Sequence, residues 1–234
     1  MGEALITSRN AKPIVRKTLP VGDTNVGDIV LLNVSGVPTE FIVVHQGKPS
    51  GTYSIGCDGT WLLMKDIYTT STWVPGADNW GWEWRGTNDA GILLYLQETF
   101  FPLLDTDIQN SISTAVLPFQ TTFDDEEGGI FEDWSSFKVF LLSCTEVGLP
   151  ENYDGLKLGG KLDYFEEGAT DNAKLLRVAY YNNSAEGWFL RSAGEYSDVA
   201  CGVYDNGTKY DNFYYATGVR PALILPFDTV ISRA

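Results

Sequence analysis

Histidine is all but missing from this sequence: His45 is the only one. A Ser-His-Asp triad would have to be built around it, yet it closes the apolar run FIVVH (41–45) with no nucleophile motif beside it. A structural histidine at a strand end is expected. Cysteine is scarce as well. Cys57, Cys144 and Cys201 make an odd count without CxxC spacing, so neither a disulfide framework nor a zinc site is indicated, and free buried thiols are expected. Basic residues are few, 16 against 31 acidic ones, for a net charge of -15. That charge repels nucleic-acid phosphates and anionic membrane surfaces, so neither is an expected partner. Long hydrophobic runs are lacking: no segment reaches membrane-spanning length, and residues 1–10 have neither the basic start nor the apolar core of a signal peptide. Ile6 stands where a myristoylation signal needs Ser or Thr. These absences imply synthesis in a cytoplasm without membrane insertion.

What is present suits a folded domain. Aromatic residues make up 13% of the 234, enough with the aliphatic supply for a sizeable core. No fixed-period repeat points to a solenoid or propeller. Residues 1–20 carry Arg9, Lys12, Arg16 and Lys17 with Pro13 and Pro20, a local basic excess read as an attachment arm ahead of a domain at 21–234. VGDIVLLNV and TEFIVVHQG flank a turn at 35–38 and predict a β-hairpin, followed by a strand at 61–64. Ile92, Leu93, Leu96, Phe100 and Leu103 form one helical face within 88–104, with Pro102 ending it, and a short helix is predicted at 106–115. KVFLLS (138–143) predicts a strand, and 148–171, rich in Gly, Asp and Tyr, a long surface excursion. The expected fold is α+β, mostly antiparallel β with one or two helices and long loops.

The end of the chain combines two chemistries. WFLRS (188–192) and GVRPALIL (218–225) are apolar with one arginine each, as expected of two paired core strands. Trp188, Arg191, Arg220 and Pro221 form the structural motif. A guanidinium in an apolar strand must find carboxylates or carbonyls, and acidic neighbours are expected for both arginines. Between the blocks, 195–215 is rich in Tyr, Asp, Asn and Gly, residues that give rigid aromatic contacts and adaptable hydrogen bonds on loops. Tyr196, Tyr204, Asp205, Asn206, Tyr210, Asp211, Asn212 and Tyr214 are the candidate ligand-binding residues. Asp205, Asn206, Asp211 and Asn212 also offer hard oxygens to calcium, though not at the spacing of the twelve-residue calcium loop, and the metal assignment stays open. Trp73, Trp80, Trp82 and Trp84 crowd one Gly-rich segment, either to stack on sugars or to anchor a loop. The acidic run at 124–127 and the pair Glu166 and Glu167 read as solvated loops rather than as a glycosidase pair. No catalytic residue is assigned.

Five blocks stand in a recognisable order: VGDIV (26–30), YLQETFFPLLDTDIQNSI (95–112), KVFLLSCTE (138–146), WFLRS and GVRPALIL. In them the chain resembles a domain family common in Firmicute genomes and their phages, similar to C-type-lectin-like and formylglycine-generating-enzyme-like folds. The opening MGEALITSR resembles the starts of phage tail and fibre proteins. The resemblance implies C-terminal strands that support long irregular loops, without implying an enzyme. Formylglycine-generating enzymes use a cysteine pair to handle copper and oxygen. Here only Cys201 lies in the corresponding region with no partner near in sequence, so a buried thiol in VACGV is expected. The implied role is a phage virion protein displaying a loop surface for host attachment, with a host-surface glycan or protein as ligand, other virion proteins held through the arm, and several copies together. A purely architectural capsid or tail decoration and a carbohydrate-active enzyme on the same fold are the alternatives.

Overall fold

Along residues 29–34 every other residue is buried: Val30, Leu32 and Val34 face inward, and their neighbours are half-exposed. That period of two builds a strand lying on a core by one face. The computed structural model describes residues 18–49, 53–73, 91–123, 130–152, 158–194, 200–213 and 215–233. Most of the expected arm (1–17), Trp80, Trp82, Trp84, the acidic run 124–127, Tyr196 and Tyr214 lie outside the described residues.

β1 (Thr18–Pro20), the last three residues of the expected arm, is an edge strand of the domain. β2 (Ile29–Val34) and β3 (Val37–Gly47) form the predicted hairpin. Its turn is the pair Ser35-Gly36, with φ of 53° and 75°, as a two-residue hairpin turn requires, and Pro38 falls inside β3 rather than in the turn. β4 (Gly59–Met64) is buried along its whole length, and β5 (Thr69–Ser71) follows. The helical face takes shape as α1 (Gly91–Tyr95), a wider π turn at Leu96–Phe100 and a tight 3-10 turn at Phe101–Leu103. Ile92, Leu93, Leu96 and Phe100 are buried. Pro102 has no N–H for the carbonyl four residues back, and the run stops one residue later.

α2 (Thr106–Ser111) is shorter than predicted, because the chain from Ala115 onward pairs as β6 (Ala115–Phe123) with β7 (Ile130–Phe137). Of the KVFLLS block only β8 (Val139–Phe140) is a strand. Leu141 and Leu142 leave the ladder, since their carbonyls accept from the side chain and the backbone N–H of Arg191 respectively. The excursion ends at α3 (Asp171–Arg177), where Thr170 caps the helix by accepting the Ala173 N–H at 3.1 Å. The hairpin β9 (Ala179–Tyr181) and β10 (Ser184–Glu186) leads into β11 (Trp188–Ala193), β12 (Ala200–Val203), β13 (Lys209–Phe213), β14 (Thr217–Val219), β15 (Ala222–Leu225) and β16 (Val230–Arg233).

The strands assemble into a seven-stranded antiparallel sheet, ordered β1-β16-β2-β3-β4-β15-β8, and a five-stranded sheet, ordered β13-β12-β11-β14-β5. The architecture is α+β and mostly antiparallel. WFLRS and GVRPALIL are not two fully paired strands. They meet in parallel at Trp188 and Gly218, after which the chain turns at Arg220-Pro221 and ALIL joins the larger sheet between β4 and β8. Beside it, β4 runs on through residues 65–68 into β5, which pairs with β14. Two neighbouring segments therefore pass from one sheet to the other together. At the centre of the larger sheet Trp61 is fully buried, with Tyr53 and Phe140 packed edge-on at 5.5 and 5.6 Å, and its indole N–H donates to the carbonyls of Gly47 and Cys57.

Candidate functional site

Three buried arginines, all with negligible exposure, hold the surface that carries the tyrosines. Arg191 in β11 finds the acidic partner expected of it: its two terminal nitrogens donate to Glu146 Oε2 at 2.5 Å and Oε1 at 2.6 Å. The same nitrogens also reach the carbonyls of Leu141 and Leu158 at 2.9 and 3.1 Å, and Nε that of Pro118 at 3.4 Å. Glu146, also fully buried, accepts in addition from the Tyr53 hydroxyl at 2.7 Å and the Ser143 N–H at 2.9 Å. Burial first, and then the Glu146 carboxylate, push the Tyr53 phenol far above its ordinary value, so it serves as a donor.

Arg220 departs from the expectation of an acidic partner. Its Nε and Nη2 donate to the carbonyls of Met64 and Lys65 at 2.8 and 2.9 Å, and its guanidinium carbon lies 4.8 Å from the centre of the Trp188 ring. Among the described residues it forms no ion pair, and burial pulls it down to about 10. Arg177, which the sequence reading passed over, is the third. It donates to the carbonyls of Val147, Gly148, Glu166 and Gly168 and so ties the long excursion to α3. Its signal was present in LLRV, one more arginine between apolar residues.

On this base stands the β12–β13 hairpin, with its turn at 204–208. The Tyr204 N–H donates to Thr208 O at 2.8 Å, and the Gly207 N–H to Tyr204 O at 2.9 Å. Asn206, expected to meet ligand, spends its side-chain oxygen inside the turn, accepting from the N–H and hydroxyl of Thr208 at 3.0 and 2.7 Å. Gly207 has φ of +79°, and a Cβ there would collide with the carbonyl oxygen of Lys174 in α3. Gly207→Ala is therefore expected to lower stability by about 1–3 kcal/mol. A thermal melt checks this, and an unshifted midpoint counts against the packing of the turn on α3.

Tyr204 and Tyr210 bring their rings together, with centroids 4.2 Å apart and planes tilted by 32°. Tyr215 is 68% exposed. The three rings line an open pocket of about 290 Å³ together with the carboxylates Asp205 and Glu186 and the hydroxyl-bearing Thr70. Of the sequence candidates, the structure thus gathers Tyr204, Asp205 and Tyr210. Asp211 and Asn212 are placed on β13, while Tyr196 and Tyr214 lie outside the described residues. Tyr215 lies in the 195–215 loop read as the binding surface, whereas Glu186 and Thr70 are additions. Tyr215 sits beside the chosen Tyr214, but Glu186 and Thr70 come from β10 and β5 and carry no local signal.

Among the described residues no group of three or more His, Cys, Asp or Glu side chains is placed to hold a metal ion. His45 is buried in β3 with Nδ1 2.9 Å from Asp163 Oδ2, and burial pushes it below its usual value although Asp163 works in the opposite direction. Trp73, the one described tryptophan of its cluster, is buried against Phe189 at 5.3 Å, an anchoring role. Cys57, Cys144 and Cys201 are buried thiols outside any disulfide, as expected, and Cys201, with no cysteine near it in sequence, has its Sγ 2.8 Å from that of Cys144.

A mostly antiparallel α+β domain, with two sheets joined by crossing strands and a tyrosine-lined acidic pocket on the smaller one, is the class of protein that this fold and site define. The chain belongs to the family described as a domain of unknown function, DUF6273, whose model matches residues 58–227. The matched stretch contains both sheet crossings, the Arg191–Glu146 pair and every pocket residue named above. No curated protein and no solved structure matches the chain. Among the described residues no helix is long and apolar enough to cross a membrane.

Proposed function

We propose that this chain is a non-enzymatic, C-type-lectin-like binding domain of a phage particle, holding a host-surface glycan in the pocket of Tyr204, Tyr210 and Tyr215. The observation that carries this reading is the exposure of aromatic rings beside hydrogen-bonding acids: Tyr204 and Tyr215 are exposed, with Asp205 and Glu186 lining the same pocket. Aromatic rings with polar tips grouped on one open surface are the kind of patch on which ligands and partners pack. Ring faces stack on the C–H faces of a pyranose, while carboxylates accept from its hydroxyls. The pocket of about 290 Å³ suits one or two sugar rings rather than a broad protein epitope. Two carboxylates, in a chain of net charge -15, favour neutral or amino sugars over uronic acids and phosphate-bearing polymers. The N-terminal arm attaches the domain to other virion proteins, and several copies together turn weak single-site contacts into firm attachment.

Binding of the purified chain to host cell-wall polysaccharides and to a glycan array, with and without calcium, tests this. Wild type is expected to retain neutral or amino-sugar glycans. Tyr215→Ser, at an exposed position, is expected to weaken retention about tenfold, equivalent to about 1.4 kcal/mol, with an unchanged melting temperature. Retention of no glycan overturns the reading in favour of an architectural role, whereas release of reducing sugar that Glu186→Gln abolishes would make the domain an enzyme.

A further inference from the structure

We propose that Cys144 and Cys201 are a cross-linking pair, which closes into a disulfide when the chain folds in an oxidising solution and fastens the strand behind the tyrosine turn to the base of the fold. The two sulfurs are 57 residues apart in sequence and 2.8 Å apart in space, and both side chains are fully buried. Uncharged heavy atoms pack at about 3.5–4.0 Å, so this approach is closer than simple filling of the core by two thiols. It is also too close for a shared metal. Two thiolates on one zinc-like ion, each about 2.3 Å away at a tetrahedral angle, stand about 3.8 Å from each other.

The backbones are positioned independently of the sulfurs. Cys144 opens a turn in which its N–H donates to Ser192 Oγ at 2.8 Å and its carbonyl accepts from the Leu149 N–H at 2.8 Å. Cys201 lies in β12 between two residues that pair with β13, Ala200 with Phe213 and Gly202 with Tyr210. Closing to a bond of about 2.05 Å requires less than an ångström of movement. Cys57 stands apart as an internal control, buried near Ser54 Oγ and Val116 O at 3.6 Å each.

The oxidant is a small-molecule disulfide of the glutathione type. One cysteine thiolate attacks it, forming a mixed disulfide and expelling one small thiolate. The second cysteine then attacks the protein sulfur of that mixed disulfide, expelling the other. Two protein thiols are oxidised, one small disulfide is reduced to two thiols, and the two cysteine protons end on the leaving groups. Burial pushes the Cys144 thiol up, so the folded pair presents little thiolate and the exchange belongs to the opening or folding chain. Once closed, the bond is out of reach of reductants in solution.

The inference stands apart from the glycan reading, because its test contains no ligand. The full chain is unfolded in denaturant, refolded in a mixture of oxidised and reduced glutathione, then alkylated under denaturing, non-reducing conditions and weighed. One alkyl group per chain is expected, mapped to Cys57, with a linked pair of peptides containing Cys144 and Cys201. The oxidised chain is expected to melt about 5–10 °C above the same chain refolded in reductant. Cys201→Ser is expected to take two alkyl groups and to melt like the reduced wild type. Three alkyl groups on refolded wild type with native circular dichroism, or a bond that includes Cys57, overturns the proposal, and neither result depends on a variant that folds.

Discussion

Replacing Arg191 with methionine is expected to lower stability by about 3–5 kcal/mol and the melting temperature by roughly 10 °C or more. Methionine fills much of the volume but leaves the Glu146 carboxylate buried without its cation. That carboxylate would keep two neutral donors, the Tyr53 hydroxyl and the Ser143 N–H, which do not balance a full charge in an apolar interior. The carbonyls of Leu141 and Leu158 would lose their donor as well. The test is a double-mutant cycle read by thermal and urea melts. Glu146→Gln with Arg191→Met removes both charges and is expected to recover a substantial part of the loss, because breaking a buried pair costs more than replacing it. A single Arg191→Met within 1 kcal/mol of wild type would overturn the account of the pair.

Arg220→Ala is expected to cost about 2–4 kcal/mol, and the reason differs. Its partners are two backbone carbonyls and the face of Trp188, so no opposite charge is stranded. What is lost is the clamp at the place where the chain leaves one sheet for the other. Arg220→Lys is expected to recover less than half, since an ammonium is a point donor without the flat fork that reaches both carbonyls and covers an indole. Thr70, Thr217 and Gly218, on the strands next to the clamp, all line the pocket. On the proposed glycan reading, retention by Arg220→Ala is expected to fall even at temperatures where circular dichroism reports a folded chain. Full retention together with wild-type stability would remove Arg220 from any such role.

Much of this fold was legible wherever the information was local. Alternation marked the β2–β3 hairpin, the spacing of Ile92, Leu93, Leu96 and Phe100 marked the helical run, and an arginine between apolar residues marked Arg191 and Arg220 as buried. Partners were not legible. GVRPALIL has the composition of one core strand, and nothing in it tells that Gly218 faces Trp188 while Ala222 faces Leu63 in another sheet. Glu146 lies 45 residues from Arg191 and 93 from Tyr53, with no pattern linking the three. The site divides in the same way. Turn composition singled out Tyr204, Asp205 and Tyr210, but it did not tell that the Asn206 oxygen closes the turn, and it could not supply Thr70 or Glu186 from distant strands.

The paired crossings from β4 to β5 and from β14 to β15 have a mechanical meaning. A pull on the pocket enters two neighbouring backbones that continue covalently into interior strands of the seven-stranded sheet, where β15 is flanked by β4 and β8. Such a load runs lengthwise along the strands, so the bonds of each ladder resist it together rather than opening one after another like a zip. The smaller sheet is for the same reason no detachable module. Both crossings join the sheets through continuous backbone, and a domain wired in this way yields as a unit.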